Sequence, residues 1–553
     1  MDGKSIISAI KDNPTVEVLI IGAGINGAGT FRDLALNGVN TLIIDKGDFC
    51  SGASSASSHM AHGGIRYLEN GEFRLVEEAV AERNRMIVNA PHLVQPLPTV
   101  IPIFKIWSGL LNAPLKFLNL LDRPSERGAL VIKIGLLFYD SFTSKQKTVP
   151  RHKFFGRKEA LERYPHLSAK IKYAALYYDG QLLSPERMTV EILLDGEDEG
   201  EHAKALNYAS FQKIEEDSVI IKDEESGETF SVKPKVIINA AGPWIDIVNQ
   251  KAGLNEKYIG GTKGSHLVIK NDKLREAVGK SEFFFENKDG RIVLLLPFYD
   301  KVIVGTSDLP IDNPDDAFCT PEEEEYFFHL VDRVFPTIKI TRDQIVYRFS
   351  GVRPLEYMKA KTTGQITRDH SIKENVVNGL TIFSLVGGKW TSFRAFSEQV
   401  ADRVFKIIGQ ERNKSTEALP VRGGKNLPLS DEERQKYCNE LAKEYSLEQS
   451  YVRELLTRYG TSAEKIAKFI QDSHGKPLKS IENWNSGELI YILKNEKPLH
   501  FDDIFIRRTT IGWLGNATDN VIDEFADIMA DEYHWTTSKK DEEKQRAKSL
   551  QNQ

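Results

Sequence analysis

A glycine-rich turn between two apolar segments near the start of the chain constrains the fold most. Residues 16–21 (VEVLII) form a β-branched, apolar run, and GAGING follows directly at residues 22–27. A helical pattern then covers about residues 28–37, and TLIID at residues 41–45 is a second apolar run. This order predicts a βαβ unit, and therefore an α/β fold with a doubly wound parallel sheet.

The glycine turn has the chemistry of a dinucleotide-binding site. Gly22 permits a tight turn, Gly24 lets a pyrophosphate approach the backbone, and Gly27 lets the helix pack closely on the strand. The helix N-terminus directs N–H groups and a partial positive charge towards the phosphates. Asp45 ends the second strand at the spacing of a carboxylate that binds ribose hydroxyls, and it would repel a 2′-phosphate. The motif therefore fits NAD or FAD rather than NADP.

Two further segments favour FAD. Residues 51–64 (SGASSASSHMAHGG) are rich in hydroxyls and small side chains, which suits a segment that follows a large planar cofactor and hydrogen-bonds to it. A second strand, Gly-Gly turn and helix at residues 380–393 offers another helix N-terminus, which would stabilise negative charge on a reduced flavin. The predicted FAD-binding residues are Gly22, Gly24, Gly27, Asp45, Ser54, Ser55, Ser58, His62, Gly63, Gly64, Gly242, Gly387, Gly388, Lys389, Trp390 and Thr391.

Size, charge and cysteine content narrow the class of protein. With 553 residues, the chain is too long for one hydrophobic core. Its formal net charge of -6 argues against a nucleic-acid partner. Cys50, Cys319 and Cys438 are far apart in sequence, which argues against a disulfide framework or a metal site and favours a reducing cytoplasm. No signal peptide or transmembrane helix is expected, since the uncharged residues 86–104 carry four prolines.

Motifs along the chain resemble those of one flavoenzyme family. They are GAGINGAG (22–29), SSASSHMAHGGIRYLE (54–69), NAAGPW (239–244), KGSH (263–266), GTSD (305–308), SGVRPL (350–355), ITRD (366–369) and GGKWTSFR (387–394). Over about residues 15–395, this set closely resembles FAD-dependent glycerol-3-phosphate dehydrogenase, the aerobic, quinone-linked family. The wider superfamily includes D-amino acid, glycine and sarcosine oxidases.

The resemblance implies oxidation of sn-glycerol 3-phosphate to dihydroxyacetone phosphate by hydride transfer from C2 to FAD, with reoxidation of the flavin by a membrane quinone. A related oxidase that uses oxygen carries an extra segment after its SGVRPL-like motif. Here ITRD begins 11 residues after Leu355, which leaves no room for that segment and favours the dehydrogenase.

The expected architecture is an FAD-binding, doubly wound (Rossmann-like) domain interleaved with a β-rich substrate cap, followed by a helical C-terminal domain. The FAD-dependent region covers 15–395, with core segments at about 15–90, 180–260 and 345–395 and cap segments at about 95–165 and 262–342. Strand patterns largely vanish afterwards, so 405–535 is expected to be helical. The polar tail, 538–553, is expected to fray into solvent.

The implied reaction needs cations for the phosphate, an acceptor for the C2 hydroxyl proton and a flavin close to C2. The predicted substrate-binding residues are Arg66, Tyr67, Thr306, Arg353, Arg368 and Lys389. The predicted catalytic residues are His266, Arg353, His62 and Lys389. Either histidine has a suitable pKa for the base, and Arg353 would either bind the phosphate or stabilise the developing alkoxide.

The expected location is the cytoplasm, peripherally bound to the inner face of the cell membrane. Residues 103–142 interleave basic side chains such as Lys105, Lys116 and Lys133 with large apolar ones, which suits an interfacial segment. The alternative is that these residues form a cap packed on the core of the enzyme. The sequence leaves the oligomeric state open, with a homodimer as one option.

Two other functions stay open. One is an FAD-dependent oxidase of the same superfamily that acts on an amino acid or hydroxy acid, although the four predicted cations suit a dianion better than a carboxylate. The other is a non-catalytic flavin-binding sensor, which would keep the glycine turn but would not need Arg66, Arg353 and Lys389.

Overall fold

The computed structural model of the chain describes residues 3–65, 72–106, 128–143, 148–286, 292–357 and 369–550. The helices of these ranges are α1 (Gly3–Asp12), α2 (Ile25–Leu36), α3 (Phe73–Asn89), α4 (Ala129–Thr143), α5 (Arg157–Arg163), α6 (Pro185–Glu197), α7 (Ile245–Lys251), α8 (Asp272–Val278), α9 (Pro321–Val334), α10 (Phe393–Ile408), α11 (Asp431–Glu444), α12 (Gln449–Tyr459), α13 (Ala463–Asp472), α14 (Ser486–Asn495), α15 (Asp519–Tyr533) and α16 (Thr537–Leu550). The strands are β1 (Thr15–Ile21), β2 (Thr41–Ile44), β3 (Met60–Ala61), β4 (Val94–Ile103), β5 (Lys153–Gly156), β6 (Tyr173–Leu182), β7 (Ala203–Leu206), β8 (Ala209–Glu215), β9 (Ser218–Asp223), β10 (Thr229–Asn239), β11 (Thr262–Ile269), β12 (Glu282–Glu286), β13 (Ile292–Phe298), β14 (Lys301–Gly305), β15 (Leu309–Pro310), β16 (Ile345–Arg353), β17 (His370–Val377) and β18 (Leu380–Gly387).

The first sheet is built around the N-terminal βαβ unit. Its strand order is β17-β18-β10-β1-β2-β7, and β18, β10, β1, β2 and β7 run parallel. Alternate side chains of β1 enter different cores: Val18 and Ile20 pack under α2, while Leu19 and Ile21 pack against α1. Both faces of the sheet are therefore covered by helices, as the predicted doubly wound fold requires.

The second sheet has ten strands, and it includes β3 from the segment that follows β2 of the first sheet. Its main order is β15-β11-β14-β13-β12-β4-β6-β3, with β16 beside β11 and β5 beside β6. Helices α8 and α9 cover one face through side chains such as Leu274 and Phe327. The other face, which includes Val268 and Phe349, packs on Met60 and Trp513. Because side chains alternate along a strand, His266 of β11 shares this second face with Val268.

Helices α11–α16 form the C-terminal region, which matches the predicted helical domain in fold class. The α/β architecture with a β-rich sheet and these helices confirms the predicted fold class. No helix in the described ranges is long and apolar enough to cross a membrane.

The expectation that the polar tail frays into solvent was wrong. Residues 537–550 form α16, which packs beside α15 with Glu543 and Ala547 buried. Three lysines at four-residue intervals on α16 meet three aspartates at four-residue intervals on α15, in the pairs Lys540–Asp527, Lys544–Asp523 and Lys548–Asp519. The two rows run in opposite directions along antiparallel helices, so each of these three lysines meets an aspartate one turn further along.

A buried ion cluster joins the C-terminal region to the first sheet. Asp48, three residues after Asp45, accepts hydrogen bonds from Arg507 Nε and from both terminal nitrogens of Arg508, each at 2.8 Å. Both arginines belong to the π-helical turn Asp503–Arg508. The Asp48 and Arg508 side chains are 0% exposed. Burial alone would raise the pKa of Asp48, but the two guanidinium groups hold it below its usual value.

We expect Asp48→Asn to destabilise the protein by roughly 3–5 kcal/mol, because it removes the carboxylate that two buried guanidinium groups share. Among the residues that the structure describes, Arg508 then keeps only Glu496, at 3.7 Å, as a carboxylate partner. The thermal unfolding midpoint of the FAD-loaded protein would show the loss. Lys11→Gln is the control, since it removes one partner of the exposed Lys11–Glu228 pair, and it should change the midpoint little. Equal midpoints for Asp48→Asn and the wild type would mean that the ion cluster does not stabilise the contact between the C-terminal region and the first sheet.

Candidate active site

The glycine turn between β1 and α2 leaves no room for a side chain at Gly22 or Gly27. Gly22 has a φ of +103°, and a Cβ there would lie 2.7 Å from Ala240 O of the neighbouring strand. A Cβ on Gly27 would overlap Gly22 O. Gly24 is the N-cap of α2. The turn is thus as tight as a close pyrophosphate approach requires, and its residues fit FAD.

Asp45 supports this turn directly. Its Oδ2 accepts from Ala23 N at 2.7 Å, and its Oδ1 accepts from Gly47 N at 3.0 Å. Burial raises the pKa of Asp45 to about 6, although the two backbone hydrogen bonds act in the opposite direction. The carboxylate therefore lies at the end of β2 beside the glycine turn, where ribose recognition would place it.

The three predicted cofactor segments meet at this edge of the sheet. Ile25 N donates to Ser54 Oγ at 3.0 Å, which links α2 to the 51–64 segment. From the Gly-Gly corner after β18, Trp390 Nε1 donates to Ser54 O at 2.8 Å and Thr391 Oγ1 donates to His62 O at 3.2 Å. The segment is therefore held near both of its ends by the same corner.

The other predicted cofactor residues occupy the same region. Gly387 and Gly388 have φ values of +77° and +97°, and a Cβ on Gly388 would lie 3.0 Å from Asn26 Nδ2 of the glycine turn. Lys389 begins the short turn Trp390–Ser392, and its Nζ is buried. Gly242 begins the turn Gly242–Trp244 that follows β10, and Gly64 has a φ of +75°. Ser55 hydrogen-bonds to the buried carboxyl group of Glu186, whose pKa burial raises to about 8.

A buried cluster behind Gly63 was not foreseen from the sequence. Asp179 Oδ1 accepts from Gly63 N at 2.8 Å and from Arg83 Nη1 at 3.2 Å, and it also accepts from the Tyr139 hydroxyl. The side chains of Arg83 and Asp179 are 0% and 1% exposed. These residues come from α3, α4 and β6, so no local motif connects them.

On the cap side, three sequence motifs converge. Arg353, at the end of β16, donates from Nη2 to Thr306 Oγ1 at 3.1 Å and from Nη1 to Asp308 Oδ1 at 3.2 Å. A Cβ on Gly264 of β11 would overlap the Arg353 guanidinium and would lie 2.7 Å from Thr306 Oγ1. The KGSH, GTSD and SGVRPL motifs thus form one corner of the sheet.

His266 joins this corner to the 51–64 segment. Its Nε2 is 2.9 Å from Ser58 Oγ, and its ring stacks on Phe349 at a centroid distance of 4.6 Å. A Cβ on Gly305 would overlap the His266 ring, and one on Gly351 would lie 2.6 Å from Ala56 Cβ. Burial, followed by the positive charge of Arg353, lowers the pKa of His266 well below its usual value. The imidazole is therefore neutral and able to accept a proton.

Glu323 is a second group that sequence reasoning missed. Its carboxylate accepts from Lys263 Nζ at 2.8 Å and from the Ser307 hydroxyl, so it ties the KGSH and GTSD motifs together. It also accepts from Thr320 N at 2.9 Å, as the third residue of a capping box that begins α9. The capping-box pattern of Thr320 and Glu323 is visible in the sequence, but its reach into the site is not.

The structure describes most of the predicted catalytic and substrate-binding residues, but not all of them. The structure brings His266, Thr306 and Arg353 together, and it places the backbone of His62 and the start of the Lys389 turn at the cofactor edge. Arg66, Tyr67 and Arg368 lie outside the described residues.

Comparisons with known proteins agree with this arrangement. Residues 17–403 match the family model "FAD dependent oxidoreductase", and residues 414–540 match "C-terminal domain of alpha-glycerophosphate oxidase". A glycerol-3-phosphate dehydrogenase of Synechocystis sp. is 32% identical over 97% of this chain and 96% of its own. An aerobic glycerol-3-phosphate dehydrogenase of Staphylococcus saprophyticus is 29% identical over 95% and 92%.

A solved structure shows the same fold. The glycerol-3-phosphate dehydrogenase from Bacillus halodurans, complexed with FAD, has a TM-score of 0.75 over 99% of this chain and 96% of its own, at 22% identity. The chain therefore belongs to the FAD-dependent oxidoreductases and, among them, to the glycerol-3-phosphate dehydrogenase family, with FAD as its cofactor.

Proposed function

We propose that this enzyme oxidises sn-glycerol 3-phosphate to dihydroxyacetone phosphate and that its electrons pass to a membrane quinone. The observation that carries the proposal is the meeting of His266, Arg353 and Thr306 beside Ser58 of the cofactor segment. When bound, FAD supplies the acceptor for the C2 hydride. The names of the related dehydrogenases support the same substrate.

His266 is the proposed general base. A neutral imidazole accepts the C2 hydroxyl proton, and burial together with the charge of Arg353 favours the neutral form. We place the acceptor at Nε2, because this nitrogen faces the cofactor segment, where Ser58 Oγ lies 2.9 Å away. The 2% exposure of His266 also keeps water from competing for the proton.

Arg353 is proposed to stabilise negative charge on the C2 oxygen rather than to bind the phosphate. Its charge lowers the pKa of His266, so it acts at the reacting end of the substrate. Its contact with Thr306 leaves the Thr306 side chain at the same end, where it would orient a substrate hydroxyl. The phosphate is then assigned to Arg66, Tyr67, Arg368 and Lys389. One cation at the reacting end and three for the dianion fit this substrate better than an amino acid or hydroxy acid.

An exposed apolar surface supports contact with a membrane. Leu137 and Phe138 of α4 are 56% and 51% exposed, Ile134 is 47% exposed, and Phe73 of α3 lies beside Phe138. Such a patch on a helix surface suits the boundary of a lipid layer, where a lipid-soluble quinone resides. We propose that this surface rests on the inner face of the cell membrane. Most of the predicted interfacial segment, residues 107–127, lies outside the described residues.

His266→Ala should slow the anaerobic reduction of the flavin by glycerol 3-phosphate by about 10²–10⁴-fold, because it removes the proton acceptor. FAD content and substrate affinity should change little. Rapid-mixing absorbance measurements would give both the rate and its dependence on substrate concentration. His202→Gln, which alters a histidine hydrogen-bonded to Ala35 O of α2, is the control. A wild-type reduction rate in His266→Ala would remove this residue as the base.

Arg353→Met should raise the pKa that governs flavin reduction on the acid side. The positive charge of Arg353 lowers the pKa of His266 below its usual value of 6.5, so its removal moves the acid limb of the rate profile to higher pH. Arg353→Lys keeps a charge and should leave the limb nearer to its wild-type position. If the acid limb has the same midpoint in the wild type, Arg353→Met and Arg353→Lys, then Arg353 does not influence the pKa of His266.

Leu137→Glu with Phe138→Glu should weaken binding to anionic liposomes in a flotation assay, because it places charge on the exposed apolar surface. Flavin reduction by glycerol 3-phosphate should remain at the wild-type rate. Val376→Glu, at a side chain 63% exposed on the edge strand β17, is the control and should float normally. Flotation of the double variant at the wild-type level would exclude this surface as the membrane contact.

A further inference from the structure

Trp513 links the C-terminal region to the proposed base. It lies in the loop before α15 and is 1% exposed, with its Nε1 donating to Ile506 O at 3.0 Å. One edge of its ring meets Phe349, at a centroid distance of 4.7 Å and an interplanar angle of 66°. Phe349 in turn stacks on His266 at 4.6 Å with an interplanar angle of 3°. A side chain of the C-terminal region thus lies one residue away from the imidazole.

The same indole contacts the cofactor segment. His59, which follows Ser58, meets Trp513 at a centroid distance of 5.0 Å and Phe298 at 5.3 Å, both edge to face. His59 is 1% exposed, and burial lowers its pKa to about 4, so it serves as an uncharged aromatic surface. Trp513 therefore touches the neighbour of each partner in the Ser58–His266 hydrogen bond.

We infer that Trp513 is a positioning residue for the active site, which fixes the His266 imidazole through Phe349 and Ser58 through His59. The inference rests on the proposed role of His266 as the base. The geometry gives the indole two separate effects. It limits rotation of the stacked rings, and it excludes water from the face of the sheet that carries His266.

Trp513 is held firmly enough for this role. Its hydrogen-bond acceptor, Ile506, belongs to the π-helical turn whose next two residues, Arg507 and Arg508, bind Asp48. The ion cluster and the indole are therefore two ends of one rigid connection. The cluster fixes the turn next to Asp48, which follows β2 of the first sheet. The indole of Trp513 is hydrogen-bonded to this turn and contacts Phe349 of β16 in the second sheet.

The test compares Trp513→Leu, Trp513→Phe and Phe349→Leu as FAD-loaded proteins in anaerobic flavin reduction by glycerol 3-phosphate across pH. Both leucine variants should reduce flavin about 10- to 10²-fold more slowly, because small displacements of a catalytic group have effects of this size. Their acid limb should move to higher pH as water reaches His266 and its pKa returns towards the usual value. Trp513→Phe, which keeps an aromatic ring, should recover most of the rate.

Labelling with diethyl pyrocarbonate gives a readout that does not depend on turnover. Mass spectrometry should show faster modification of His266 in Trp513→Leu than in the wild type. Trp484→Leu is the matched control, since Trp484 is a buried tryptophan of the same region. The guanidinium carbon of Arg458 lies 4.2 Å from the centroid of the Trp484 ring. This variant should lower the thermal midpoint but keep the wild-type rate, pH profile and labelling of His266.

Wild-type rate, acid limb and labelling in Trp513→Leu would overturn the inference. If that variant fails to fold, the same three results in Phe349→Leu would overturn it. The outcome is separable from that of the proposed function. A fast His266→Ala variant would remove the base itself, whereas a slow His266→Ala with an unaffected Trp513→Leu would remove only the positioning role.

Discussion

The buried pairing of Asp48 with Arg507 and Arg508 is the constraint on which the rest of the molecule depends. Moving ionised groups out of water is costly, and the cost is recovered only where they meet with good geometry. Asp48 stands between the end of β2 and the segment that runs along the cofactor edge. The C-terminal helices cannot separate from the first sheet without taking Arg507 and Arg508 away from the buried Asp48, so the two parts of the chain form one unit.

The corner that holds Thr306, Asp308 and Arg353 shows how a sheet can bring distant motifs together. β11 pairs with β16 along its whole length, but on its other side it pairs with β14 near one end and with β15 near the other. The residues between β14 and β15 carry Thr306 and Asp308 towards Arg353. The chain leaves the ladder between these two strands, and both side chains hydrogen-bond to Arg353 there.

Features that depend on neighbours in sequence could be predicted. The turn at Gly22, Gly24 and Gly27 specifies its own backbone, and the Gly-Gly corner before Lys389 does the same. The implied reaction requires a base and cations, and the sequence offered His266 and Arg353 among the candidates. The structure places them close together, while their roles stay proposals. Features made by contacts across the chain could not be predicted, because Asp179 meets Gly63 across 116 positions and Trp513 meets Phe349 from a separate helical region. The tail shows the same limit: a polar segment read alone predicts disorder, and its helix is explained only by the aspartate row of α15.

The glycines around Thr306 and Arg353 limit which substitutions this enzyme can accept. A methyl group on Gly305 would occupy the space of the His266 ring, and one on Gly264 would occupy that of the Arg353 guanidinium. A methyl group on Gly351 would push the cap away from Ala56 of the cofactor segment. The shape of this corner therefore depends on glycine having only a hydrogen atom as its side chain. An alanine scan of this corner would find severe losses at positions that contribute no functional group at all.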